Sequence, residues 1–165
     1  MTVGVRNGEE RDLPALTDLY NHYVTSSHVT FDDVPFGVEE RSEWFSHYAR
    51  SGPHRLLVAE SGGDLVGYAT SSPFRPKPGY RTSVETTVYV APEAVGRGIG
   101  NALYTDLFEE LRHQRLHRAY AGVAVPNPAS RALHLRFRFQ PVGTFREVGT
   151  KFGTWIDVEW FERAL

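Results

Sequence analysis

The sequence predicts one α/β domain, a mixed sheet with helices on its faces, and three observations carry that prediction. The chain has 165 residues, enough for one domain whose core needs no metal or disulfide staple. Short β-rich segments and segments of helical periodicity follow one another in the order β, α, α, β, β, β, α, β, α, β, β. No internal repeat, linker or low-complexity tract divides the chain, so a single core is expected for residues 1–165.

Thr2 to Arg6 alternates and is short, the pattern of an opening strand. Asp12, Leu13 and Pro14 read as an N-cap with proline in the first helical turn. Leu13, Leu16, Leu19 or Tyr20, and Tyr23 then recur at helical spacing. A second helix is expected from Val38 to Arg50, with Trp44, Phe45 and Tyr48 as its apolar stripe. Between the two, His28 to Gly37 is a loop rich in aromatic and acidic residues, suited to overhanging a site.

Leu56 to Ala59 and Leu65 to Thr70 flank the turn residues Ser61, Gly62, Gly63 and Asp64 and form a hairpin. Three prolines between Pro73 and Gly79 interrupt the sheet before the long β-branched run from Thr82 to Ala91. After the break at Gly96 to Gly100, Ile99, Leu103, Leu107 and Leu111, helped by Phe108, mark a helix to about Arg115. Ala119 to Val125 is strand-like and Pro128 to Arg136 helical. The remainder reads as two strands about a turn at Gly149 to Gly153.

Composition removes several function classes. Eighteen basic and twenty acidic residues leave a net charge of −2, which argues against a nucleic acid or membrane partner; any anion site must be local. With no cysteine there is no disulfide framework, thiolate nucleophile or Cys-ligated zinc. The N-terminus lacks a basic-then-apolar leader and no apolar run approaches the roughly 20 residues of a membrane span, so the expectation is a cytoplasmic protein. His113 and His117 are four apart but fall at a fraying helix end with no completing ligand set, so no metal is expected.

The segment from Val88 to Asn101 runs from a buried strand through Gly96, Gly98 and Gly100 into a helix N-terminus. Such a turn can hold an anion: the backbone approaches closely, the first-turn N–H groups lack helical partners, and the helix dipole adds roughly 0.3 to 1 kcal/mol. Arg97 adds a full positive charge. Glycines alone are equally consistent with a turn that merely lets helix and strand pack. The spacing is G-x-G-x-G instead of G-x-G-x-x-G, and no acidic residue ends the following strand, which disfavours a dinucleotide. No Gly-Lys-Ser or Gly-Lys-Thr follows, which disfavours a nucleoside triphosphate.

This glycine loop after a long strand, with Asn127, Ser130, Leu133 and His134 one strand later, resembles the GNAT acetyltransferase superfamily. Four further stretches, Val84 to Val90, Ala102 to Thr105, Asn21 to Tyr23 and Lys151 to Asp157, resemble its phosphinothricin acetyltransferase branch and amino-acid N-acyltransferase relatives. The likeness covers nearly the whole chain. It implies a mostly antiparallel mixed sheet flanked by helices, acetyl-CoA as co-substrate, and an amino-acid-like acceptor such as phosphinothricin, methionine sulfoximine or methionine sulfone. A homodimer is common among similar proteins.

The resemblance further implies that backbone groups of Val88 and Val90 meet the pantetheine arm. The amides of Val95, Gly96, Arg97, Gly98, Ile99, Gly100 and Asn101 cradle the pyrophosphate, and Asn127 bonds the pantetheine further along. Two residues depart from the pattern. Val95 replaces the usual Gln or Arg, and Arg138 replaces a Gly before Phe139, at a helix end that often needs positive φ.

Amide formation from a thioester needs a neutral amine, so a base must take a proton from the ammonium. Glu85 fills that role in the resemblance, and strand alternation puts it with Thr87 and Tyr89, opposite Val84, Thr86, Val88 and Val90. At the reference pKa of about 4.3 against an amine near 8, the gap is roughly 4 units or about 5 kcal/mol. Burial, a relaying water or a purely holding role would reconcile that mismatch. His134 stands where the branch has a histidine near the departing sulfur, as a general acid or a contact to the thioester; Tyr104 is a weaker candidate. Arg75, Lys77 and Tyr80 match basic, basic and tyrosine positions that grip the substrate's carboxylate or phosphinate. Phe31 and Val158 are expected as apolar pocket walls. The alternatives are a peptide or protein N-terminal acetyltransferase and a non-catalytic acyl-CoA-binding sensor.

Overall fold

In the computed structural model, which describes residues 3–165, one seven-stranded sheet runs through the molecule in the order β1-β2-β3-β4-β5-β7-β6. The strands are β1 (Gly4–Asn7), β2 (Leu56–Ser61), β3 (Asp64–Pro73), β4 (Ser83–Val90), β5 (Arg118–Val125), β6 (Gln140–Lys151) and β7 (Thr154–Ala164). The helices are α1 (Leu13–Ser26), α2 (Val38–Ser46), α3 (Ile99–Arg112) and α4 (Pro128–Arg136). Every neighbouring pair is antiparallel except β4 and β5. Thr2, where the first predicted strand begins, lies outside the described residues. Among the described residues, no helix is long and apolar enough to cross a membrane.

Helices α1 and α2 cover the sheet face that carries Tyr68 and Tyr89, through ring contacts from Tyr20, Tyr23 and Trp44. Helix α3 covers the opposite face, where Ile99, Leu103, Leu107 and Leu111 are buried as their spacing requires, and Leu133 of α4 packs onto its first turn at Gly100.

Several boundaries shift for identifiable reasons. Asp12 does not cap α1 with its side chain: its carboxylate accepts two 2.7 Å bonds from Arg6 and one from the Glu9 amide. A 3₁₀ turn at Glu10–Asp12 therefore runs straight into the helix. Helix α2 stops at Ser46 because the chain reverses there, with the Ala49 amide bonded to the His54 carbonyl. Helix α3 stops at Arg112, since the His117 amide is drawn to the Thr82 carbonyl at 2.8 Å as the chain enters β5. Strand β3 reaches Pro73, a proline tolerated at a strand end. The last hairpin turns at Phe152 and Gly153, both at positive φ, which matches a two-residue primed turn. Gly149 belongs to the ladder opposite Ile156.

At the end of α4, Arg138 has φ 64°. The Phe139 amide reaches back to the His134 carbonyl at 3.0 Å and the Arg138 amide to Leu135 at 3.1 Å. This is the paired bonding of a Schellman cap, with Arg138 in the left-handed position that glycine usually fills.

Candidate active site

The site begins with a failure of pairing. Strands β4 and β5 each have eight residues, yet their parallel register holds only from Ser83↔Arg118 to Glu85↔Tyr120. Beyond Glu85 the two strands splay and open a cleft. The Ala91 amide bonds Val66, and the Phe74 amide bonds Ser83. Antiparallel pairing alternates, so the odd-numbered residues of β4 turn their main-chain groups to β3. Val88 and Val90 turn theirs into the cleft, where the Tyr23 hydroxyl donates to the Val90 carbonyl at 2.6 Å.

The cleft holds a cavity of about 570 Å³ bounded by Thr86 to Val90, by Gly122 to Ala124 of β5, and by the start of α3. At that start Gly96 and Gly98 adopt φ 81° and 80°, with open space where a Cβ would project. The first bond of the helix runs from the Ala102 amide to the Gly98 carbonyl, so the preceding amides of Ile99, Gly100 and Asn101 point out of the N-terminus. Not every amide of the loop is free: that of Val95 bonds the Pro92 carbonyl and that of Arg97 bonds Ala94. The Val95 side chain lines the cavity; Arg97 is exposed and does not. Asn127 lines it while its Oδ1 caps α4 by accepting from the Ser130 amide at 3.1 Å. A free row of amides on a positive helix end suits a diphosphate, and a cleft edged by unpaired strand groups suits an amide-bearing arm. The residues present therefore fit coenzyme A.

His134 lies on the cleft wall and is buried. Its Nδ1 is 2.7 Å from the Ser130 carbonyl, which can only accept, so that nitrogen carries the proton. Nε2 is then the acceptor for the Tyr104 hydroxyl at 3.0 Å, and Thr86 Oγ1 stands 3.3 Å beyond. Burial lowers the His134 pKa, outweighing the bond to Ser130, and keeps the ring neutral at pH 7.

Behind β4, on the α1 and α2 side, lies a second cavity of about 490 Å³ that contains Glu85. Thr87 and Tyr89 line both cavities, so the two meet across one strand. Burial raises the Glu85 pKa above the usual carboxylate value, and the positive charge of Arg75 partly offsets it. Burial also pushes the Tyr89 hydroxyl up to about 12, keeping it protonated. The loop from His28 to Gly37 is fastened over this region. Tyr20 bonds Thr30 at 2.7 Å and Asp32, Lys151 donates to the Asp32 carbonyl, and His28 Nε2 is 2.9 Å from the Pro126 carbonyl. The Phe31 ring lies directly over Gly149, where any Cβ would collide.

Residues 16–139 match the acetyltransferase (GNAT) family. The chain belongs to the GNAT acetyltransferases. It is 59% identical to the phosphinothricin N-acetyltransferase of Streptomyces coelicolor over 165 residues, 99% of this chain and 96% of that protein. It is 34% identical to the L-methionine sulfoximine/L-methionine sulfone acetyltransferase of Pseudomonas aeruginosa, covering 100% of this chain and 96% of that one. The crystal structure of a GNAT superfamily phosphinothricin acetyltransferase from Sinorhizobium meliloti in complex with AcCoA matches with a TM-score of 0.94 at 31% identity, covering 100% and 89% of the two chains.

Within this GNAT frame the residues expected to hold the amino substrate are more scattered than the cofactor set. Arg75 is exposed, stacked 4.2 Å over Phe74, and its charge reaches Glu85. Lys77 and Tyr80 are exposed around a short turn, Tyr80 edge-on to Phe74. Val158 lies in β7 between Ala124 and Phe145. None of these, nor Phe31, lines either cavity. The walls of the Glu85 cavity come instead from Tyr20, Arg41, Trp44, Tyr48, Tyr68 and Tyr89. In the sequence Trp44 and Tyr48 look like a core stripe, and Arg41 goes unnoticed. Its position one turn before Trp44, on the same helix face, was the available signal.

Proposed function

We propose that this GNAT acetyltransferase moves the acetyl group of acetyl-CoA to the α-amine of a small amino acid of the phosphinothricin, methionine sulfoximine or methionine sulfone type. The observation that carries the proposal is the splay of β4 from β5 at Glu85. It sets a cleft that suits coenzyme A and an aromatic-walled cavity back to back across one strand. The amides of Gly98 to Asn101 hold the diphosphate, Val88 and Val90 bond the pantetheine arm, and Asn127 secures it further along. When bound there, acetyl-CoA would supply an activated acetyl thioester to the amine.

In the second cavity Glu85 receives the ammonium. Its raised pKa narrows the gap to the amine, and a proton leaves the nitrogen for Glu85 directly or through water. The neutral amine then forms the C–N bond as the C–S bond breaks, and the proton shed by the new amide nitrogen passes directly or through water to the departing sulfur, so coenzyme A leaves as the thiol. His134 has its one proton committed to the Ser130 carbonyl, which fixes its tautomer, so its role is to contact the thioester and shape the wall, with the Tyr104 hydroxyl donating to its other nitrogen. Arg75, beside Glu85, pairs with the α-carboxylate, Lys77 and Tyr80 border the entrance, and Phe31 and Val158 bound it on the side of the last hairpin. The fastened loop from His28 to Gly37 favours a small molecule over an extended peptide. A cytoplasmic location and a homodimer joined through the β6–β7 hairpin belong to the same proposal.

Thiol release measured over a panel of free amino acids and short peptides tests it. The expected result is turnover with methionine sulfone or phosphinothricin and none with peptides; turnover with peptides alone would refute it. Replacing Gly98 by Val should raise the acetyl-CoA Kd at least about tenfold and leave the amino-acid KM unchanged, because the new side chain meets strain at positive φ and stands in the diphosphate's path.

A further inference from the structure

Arg41 is out of place for a helix surface residue. It is 6% exposed, its Nε and Nη2 are buried without a hydrogen-bond partner, and no ion pair among the described residues includes it. Its guanidinium carbon lies 3.8 Å from the Trp44 ring centre and 4.4 Å from that of Tyr20, with Phe36 at 5.8 Å. Aromatic faces tolerate a cation there and hold its plane fixed, but they offer no acceptors for its N–H groups.

The residue lines the Glu85 cavity and is the one Arg or Lys among its lining residues. Neither nearby acid is ion-paired with it: Asp32 accepts from the Tyr20 hydroxyl, and Glu40 accepts from the Gly37 amide at 2.7 Å. His47 completes the set of titratable side chains on that wall besides the tyrosines. Of the two arginines only Arg41 lines the cavity; Arg75 lies outside it. Arg75 is the charge that acts on Glu85, whereas Arg41 acts on Tyr68 and Tyr89.

We infer that Arg41 is the specificity residue for the far end of the amino substrate, donating paired hydrogen bonds to the two acceptor atoms of a tetrahedral side-chain group such as a phosphinate, sulfone or sulfoximine. This rests on the function proposed above. With the ammonium at Glu85 and the α-carboxylate at Arg75, the remainder of the substrate extends between the aromatic walls towards the unfilled guanidinium. A planar fork of donors matches two acceptors on one atom, and a buried site built to donate discriminates strongly against a ligand that lacks acceptors.

The test compares wild type, Arg41→Met and Arg41→Lys on phosphinothricin, methionine sulfone and norleucine, the last ending in plain methylenes, with the amino-acid amides as controls. Thermal melts confirm folding, and phosphinothricin binding is followed by quenching of tryptophan fluorescence. The expected result for Arg41→Met is a loss in kcat/KM of about 100-fold or more with phosphinothricin, a smaller loss with the uncharged sulfone, and less than about threefold with norleucine. The acetyl-CoA KM stays constant, and Arg41→Lys recovers part of the loss. An equal loss on all three substrates would make Arg41 a structural residue and overturn the inference alone. A loss that disappears with the amino-acid amides would assign Arg41 to the α-carboxylate and overturn it as well. A wild-type enzyme inactive on every amino acid would overturn both this inference and the proposed function.

Discussion

In the proposed mechanism Glu85 must be a base strong enough to accept a proton from an ammonium and an anion at neutral pH, and burial serves the first requirement at the expense of the second. A carboxyl whose folded pKa is raised favours the folded state most below its unfolded value near 4.3, and that contribution is lost as pH rises through the folded pKa. The native enzyme therefore carries a destabilising buried charge at pH 7. Glu85→Gln removes that charge and the base together. It is expected to lower kcat about 10²- to 10³-fold with the acetyl-CoA Kd unchanged, and to raise Tm by a few degrees at pH 7 but not at pH 4, as stopped-time assays, titration and calorimetry would show. Arg75 acts in the opposite sense, so Arg75→Ala should move the acid limb of kcat/KM to higher pH. Unchanged turnover in the Gln variant would remove Glu85 from the mechanism.

At the scale of elements, the clearest local conflict is the Arg138 cap. A non-glycine residue at φ 64° brings its Cβ too close to the following carbonyl oxygen, and Arg138 also lies close enough to Arg163 to oppose its charge, adding to the effect of burial there. Arg138→Gly relieves both. Offset by the entropy of a freer unfolded chain, the gain is on the order of 1 kcal/mol, or about 2–4 °C in Tm by calorimetry. That conflict was legible through the family resemblance, which puts a glycine where Arg138 stands, at a helix end that often needs positive φ. The α3 stripe, the Gly62-Gly63 hairpin and the amide-rich turn at Gly98 were legible directly: each is fixed by neighbours a few residues away. The splay of β4 and β5 was not, since register between strands some thirty residues apart depends on how the whole sheet twists. Nor were the walls of the Glu85 cavity, because a helix face turned to a ligand space has the same periodicity as one turned to a core. The place of Arg41, Trp44 and Tyr48 on a cavity wall therefore becomes visible only when Tyr68 and Tyr89 are seen opposite them.

At the scale of the whole molecule, burial is uneven from one end of the sheet to the other. Strands β2 to β5 are covered by helices, whereas the long β6–β7 hairpin leaves Val142, Phe145, Val148, Phe152 and Trp155 between 53% and 66% exposed. Isolated apolar residues on a surface are ordinary, but five on one hairpin are a concentration whose exposure favours association. The same hairpin carries Gly149 under Phe31 and Lys151 bonded to the loop over the Glu85 cavity, so whatever steadies the hairpin also steadies the roof of the site. A second copy meeting this hairpin would bury both sets of side chains symmetrically. Sedimentation of the wild type should then give a dimer, and Phe145→Asp combined with Val148→Asp a folded monomer. If the roof depends on the interface, the monomer's amino-acid KM rises while its acetyl-CoA Kd stays constant, because the diphosphate turn at Gly98 belongs to the helix-covered part of the sheet. A wild type that sediments as a monomer at micromolar concentration would show that the hairpin is left open in solution.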